Sequence, residues 1–225
     1  MDTGERAYEK IINYVEQQVM QGRYKKGDKL PPERELAALL GASRNSVREG
    51  LGILERMGAI SSQQGAGNFI SDNFEKTLIE VMTLMFILEE GTFREISEFR
   101  YALETQALAL AMEHISKKQL ADIEYYMSML EKTPEEDMKA YYDKMIHYTI
   151  TAASGNRFII DNLQALTAVM DVFIKDMRAK ILSDGSNSEG LMAAHREMAL
   201  REKNIEKGMQ ALKVHFEYIY EYIDG

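Results

Sequence analysis

Residues 30–51, Leu-Pro-Pro-Glu-Arg-Glu-Leu-Ala-Ala-Leu-Leu-Gly-Ala-Ser-Arg-Asn-Ser-Val-Arg-Glu-Gly-Leu, leave a folding chain few choices. Pro31-Pro32 forces an extended approach, and Pro32 suits the first turn of a helix whose Leu36, Ala37, Leu39 and Leu40 form one apolar side. Gly41-Ala42-Ser43 then breaks that helix with a tight turn, and apolar spacing resumes through Val47, Leu51, Ile53 and Leu54 as far as Met57-Gly58. The second helix opens with Ser43, Arg44, Asn45, Ser46 and Arg48. A first turn of that composition offers backbone N–H groups, hydroxyls and guanidinium forks to phosphates and guanine edges, as a helix that reads DNA must.

The flanks complete a small domain. Ile11, Ile12, Val15 and Val19 keep helical spacing over 8–20 until Gly22, and Gly27-Asp28-Lys29 reads as a turn. After Gly58 the period changes. Residues 59–63 and 68–71 read as strands around Gln64-Gly65-Ala66-Gly67, a hairpin with glycines where a tight turn needs them. Three helices and a hairpin predict a winged helix-turn-helix over 1–73. Residues 74–225 show no alternating pattern and predict an all-α bundle, with helices near 76–88, 93–114, 116–132, 134–153, 157–183, 187–202 and 205–223. The expected fold class is therefore mainly α.

Two domains fit 225 residues. With no cysteine there are no disulfides or thiolate metal sites, and any metal must use His and carboxylates. The net charge of −9 divides unevenly: residues 1–73 hold 10 basic and 10 acidic side chains, residues 74–225 hold 17 and 26. An acidic second domain would repel DNA and help aim the first domain at it. The N-terminal residues lack a secretory pattern and no apolar run approaches the ~18 residues of a membrane span, so the expected place is the cytoplasm, away from membranes.

Histidine is scarce, with four in the chain. Asp143 and His147 stand four residues apart, about 40° around a helix axis, and so share a face. His195 and His215 fall on the last two helices, which an antiparallel bundle can bring alongside. One carboxylate and three imidazoles suit a divalent ion such as zinc or nickel with positions left open; an ordinary core Asp–His hydrogen bond is the alternative. An open metal position could also activate water, as in a metallohydrolase, although no H-E-x-x-H motif is present. Arg100 sits in a mostly apolar helix beside Leu103, Ala107 and Leu110 and needs an anionic partner, either Glu104 at i+4 or a ligand.

Taken together, Leu30-Pro31, Glu33-Arg-Glu-Leu-Ala37, Ser43-Arg44, Val47-Arg-Glu49 and the glycine-rich hairpin resemble the DNA-binding domain of the GntR family of bacterial transcription regulators. Glu98-Phe-Arg100 through Glu104 to Ala111, Asp143 to His147, Ser154-Gly155-Asn156 and the two late histidines resemble the FCD effector domain of its FadR subfamily. The resemblance implies DNA contacts at Arg34, Ser43, Arg44, Asn45, Ser46 and Arg48, with Gln64 and Gly65 at a wing tip entering the minor groove. Glu33, Glu35 and Glu49 are expected to cap and pair. It also implies a metal held by Asp143, His147, His195 and His215, and an Arg100 that takes the carboxylate of a small organic acid. The implied protein is a homodimeric regulator, more often a repressor, on a palindromic operator. His195 and His215 stand 20 residues apart, about two fewer than the resemblance implies, and two residues turn a helical side chain by roughly 200°. A shortening within Arg201–Asn204 keeps His195 inward; one within the helix removes a ligand. A constitutive DNA-binding protein with a dead pocket is the remaining alternative.

Overall fold

The computed structural model describes residues 6–71, 74–173 and 204–224, and the chain divides into two compact units, Met1–Thr77 and Leu78–Gly225. The first holds α1 (Glu9–Met20), α2 (Glu33–Leu40), α3 (Arg44–Arg56), β1 (Ile60–Gln63) and β2 (Gly67–Ile70). Ile11, Val15, Leu36, Val47, Leu51 and Leu54 point inward at helical spacing and meet Ile60 and Ile70 from the hairpin. Burial of each such side chain contributes about 1.5–3 kcal/mol. Pro32 stands just outside α2 as its N-cap, with an extended ψ of 149°, so the helix begins one residue later than the expected first-turn proline. Gly41 ends α2 in the left-handed region at φ 59°, where a β-carbon would be strained, and this turns the chain toward α3.

The wing is broader than a hairpin. β1 and β2 pair antiparallel from Ile60↔Ile70 to Gln63↔Gly67. Residues 27–30, expected as a turn, run along the other edge of β2: Gly27 N donates to Ile70 O, Ile70 N to Asp28 O and Leu30 N to Asn68 O.

Helix α3 can lie against α1 because position 50 has no side chain. A β-carbon at Gly50 would stand 2.8 Å from both Ile11 Cβ and the Tyr8 carbonyl oxygen, neither of which can swing away. Gly50→Ala is therefore expected to destabilise the first unit by about 1–3 kcal/mol despite its better helix propensity. Urea unfolding checks this; unchanged stability would mean that α1 and α3 pack less tightly than described.

The described part of the second unit is wholly helical: α4 (Glu75–Leu88) entering from the first unit, α5 (Phe93–His114), α6 (Lys117–Lys132), α7 (Glu136–Ala153), α8 (Arg157–Phe173) and α9 (Ile205–Asp224). Capping boxes set two starts, Thr92 with Glu95 for α5 and Ser116 with Gln119 for α6. Helix α7 begins two residues after the expected position 134. The expected helix at 187–202 and the end of the one expected at 157–183 lie outside the described residues. One apolar core joins α5, α6, α7 and α9 around Leu108, Ile146, Leu212 and Phe216; a second joins α4, α5 and α8 around Met82, Ala107, Leu163 and Leu166. Helix α5 serves both cores, so polar residues on its buried face lie deep in the unit. Among the described residues no helix is long and apolar enough to cross a membrane.

Candidate functional site

In the first unit, the residues expected to contact DNA are exposed, apart from the half-buried Ser46. Ser43 is the N-cap of α3: its Oγ accepts from Ser46 N at 3.1 Å and lies 2.9 Å from Ser46 Oγ. Arg34, Arg44 and Asn45 are exposed, as are Gln64 and Gly65 at the hairpin turn, where Gly65 adopts φ 76°. Asn45, Arg48, Glu49, Gly52 and Arg56 line an open depression of about 360 Å³ along α3. Arg48 is not idle there: its Nε and Nη2 donate to the Glu33 carboxylate at 3.2 and 2.8 Å, bridging α2 and α3. This two-pronged pair links the two helices at the surface, and Glu33 holds the guanidinium above its ordinary pKa. The pair is exposed and adds little to stability.

In the second unit, Asp143, His147 and His215 converge. Each offers a ligand atom, all lying within 4.8 Å of one another. Asp143 and His147 project from one face of α7, as their spacing requires, with His147 Nε2 3.9 Å from Asp143 Oδ1. His215 arrives from α9, its ring centroid 4.7 Å from that of His147. Both imidazoles are buried, so any ion held there would exchange its water for protein ligands in a shielded place. Three donors of this type are the usual protein share of a divalent-ion site that keeps a position open. His195 lies outside the described residues. His114, never part of the set, sits exposed at the end of α5.

Arg100 is buried and pairs with Glu104, its neighbour one turn along α5. Sequence reasoning gave Glu104 only that role. Its other oxygen, Oε2, lies 2.6 Å from His147 Nδ1, so one carboxylate joins the arginine to a candidate metal ligand. The available signal was positional: 100, 104, 107, 108 and 111 make one buried stripe of α5, and an acid in the middle of it must have partners on other helices. Burial pushes the Glu104 carboxyl up, but Arg100 and His147 outweigh it and bring the pKa down to about 2. Arg100 is likewise held above its ordinary value, burial being overcome by Glu104 and Asp143. The guanidinium also lies over the Phe216 ring, 5.4 Å from its centroid. A cavity bounded by Arg100, Glu104, Lys144, His147, Thr151 and Thr167 measures about 10 Å³, room for about one water molecule.

Comparison with known proteins agrees with both halves. Residues 7–70 match the family of bacterial regulatory proteins called the gntR family, and residues 95–218 match the FCD domain. The chain is 26% identical over 154 residues to the Uxu operon transcriptional regulator of Escherichia coli (strain K12), covering 58% of this chain and 60% of that protein. It is 42% identical over 95 residues to the HTH-type transcriptional repressor YtrA of Bacillus subtilis (strain 168), covering 42% of this chain and 72% of YtrA. Matches to the first curated relatives thus span about three-fifths of their length. A solved structure described as Streptococcus agalactiae GntR superimposes with a TM-score of 0.65 at 24% identity over 95% of this chain and 99% of its own, which shows a shared fold. The curated relatives are named as regulators of transcription, which speaks against the hydrolase alternative. A helix-turn-helix matched over residues 7–70, joined to a helical bundle matched over 95–218, thus places the chain in the gntR family of bacterial regulatory proteins, with an FCD domain.

Proposed function

We propose that this regulator responds to a small organic acid bound beside a divalent metal ion, zinc or nickel, held by Asp143, His147 and His215, with His195 as the candidate fourth ligand. The convergence of those three side chains carries the reading. When bound, the ion would supply a positive charge and an open coordination position for a carboxylate oxygen. Arg100 supplies the second positive group. The cavity beside it is water-sized, so an acid must widen the space between α5, α7 and α8 to enter. A ligand that repacks helices in this way shifts the equilibrium between conformations, and that is how a signal leaves the pocket. We propose further that the chain works as a homodimer, since one winged domain covers one half-site of a palindrome, and that it represses in the acid's absence.

The test is operator binding by fluorescence anisotropy, with the protein either zinc-loaded or stripped by chelator, against a panel of short mono- and dicarboxylic acids. The expected result is release from DNA by one acid class in the zinc-loaded form alone. The closed Arg100–Glu104–His147 network favours one rival, a pocket that works without metal. It predicts the same acid response after chelation, and that result would overturn the metal reading.

A further inference from the structure

Glu104 stands between two groups that ask different things of it. Arg100 can only donate hydrogen bonds, and its Nε donates to Glu104 Oε1. His147 turns Nδ1 to Oε2 at 2.6 Å and has Nε2 on the side of Asp143. A carboxylate satisfies both neighbours because both its oxygens accept. With Oε2 accepting, Nδ1 carries the proton, and the neutral imidazole keeps its lone pair on Nε2, toward the Asp143 and His215 ligand atoms. We infer that Glu104 is a positioning residue that sets the tautomer of His147 for metal ligation, while Arg100 occupies its other oxygen. The inference rests on the metal reading for its consequence, but the tautomer itself does not.

The chemistry of an amide makes the inference testable. In Glu104→Gln one oxygen becomes an NH₂ group of nearly the same shape. Arg100 has no acceptor, so it claims the remaining oxygen, and the NH₂ is left pointing at His147. A donor facing Nδ1 forces the imidazole proton onto Nε2, where it blocks the lone pair needed for a metal. Removing the arginine as well, in Arg100→Met/Glu104→Gln, releases the amide oxygen to turn toward His147 and restores the original tautomer. A merely structural role for Glu104 would make the double variant no better than the single one.

The experiment uses the full chain labelled with ¹⁵N at histidine. Ring-nitrogen chemical shifts locate the His147 proton in chelator-treated protein, and competition against a chromophoric chelator gives zinc affinity. The expected result is a proton on Nδ1 in wild type and on Nε2 in Glu104→Gln. Zinc should bind about 10- to 100-fold more weakly to the single variant, and the double variant should recover the Nδ1 proton and most of the affinity. A Glu104→Gln chain with its proton on Nδ1 and wild-type zinc affinity overturns the inference, as does a folded double variant that keeps the proton on Nε2. If the single variant does not fold, a double variant that folds with the proton on Nδ1 shows the same donor conflict. Wild-type protein that takes up no zinc would defeat the metal reading, while the ring shifts would still decide the tautomer.

Discussion

His147→Ala and His215→Ala are each expected to lose the bound ion and, with it, the rise in melting temperature that zinc gives the wild type. The three ligand atoms lie within 4.8 Å of one another on α7 and α9, so removing either imidazole leaves two of these convergent donors, and zinc affinity should fall steeply with or without His195 as a further ligand. At a zinc concentration of about 100 times the dissociation constant, binding to the folded state alone adds about 2.7 kcal/mol. For a unit of this size that is roughly 5–10 °C. Differential scanning fluorimetry with and without zinc reads it directly. Arg100→Ala provides the contrast: Glu104 still accepts from His147 Nδ1, so zinc binding should persist while acid affinity falls. A zinc-dependent shift that survives in both histidine variants would return Asp143 and His147 to an ordinary core contact.

Arg44→Ala and Arg48→Ala should each weaken specific operator binding by about 1–3 kcal/mol, or roughly 5- to 150-fold. Both side chains are exposed on α3, so the second unit should unfold as in wild type. The two arginines differ in what holds them. Arg48 is gripped by Glu33 across the helix-turn-helix angle. To meet a base it must share or leave that partner, which places its loss at the lower end of the range. Arg44 stands in the first turn of α3, where the helix N-terminus favours anions, and its loss should be the larger. Anisotropy titrations against operator and scrambled DNA separate the specific loss from the general one. Equal wild-type affinity in both variants would mean that α3 does not face the groove.

Much of this was legible in local spacing. The breaks at Gly41, Gly58, Ser116 and Ser154-Gly155 ended or began helices within two residues of the expected places, because capping and left-handed turns depend on residues near in sequence. The shared face of Asp143 and His147 was equally local, since four residues fix an angle around a helix. The strand-like run at 27–30 was not legible, because its hydrogen bonds go to β2 some forty residues later and a glycine-containing segment reads as a turn until a partner edge is present.

Local spacing alone carries the family resemblance, the order of the described helices, the arginines of α3 and the residue types of the candidate metal site, because each is written in periods and motifs of a few residues. Only the tertiary structure decided that Glu33 holds Arg48, that His215 closes on His147, and that Glu104 is shared between Arg100 and His147. Those pairings join helices separated by up to dozens of residues. In the second unit the partners are chosen by which buried faces the two cores bring together, and a buried charge then takes whichever opposite or hydrogen-bonding group that packing has placed within reach; the exposed Glu33–Arg48 pair follows from how α2 and α3 pack.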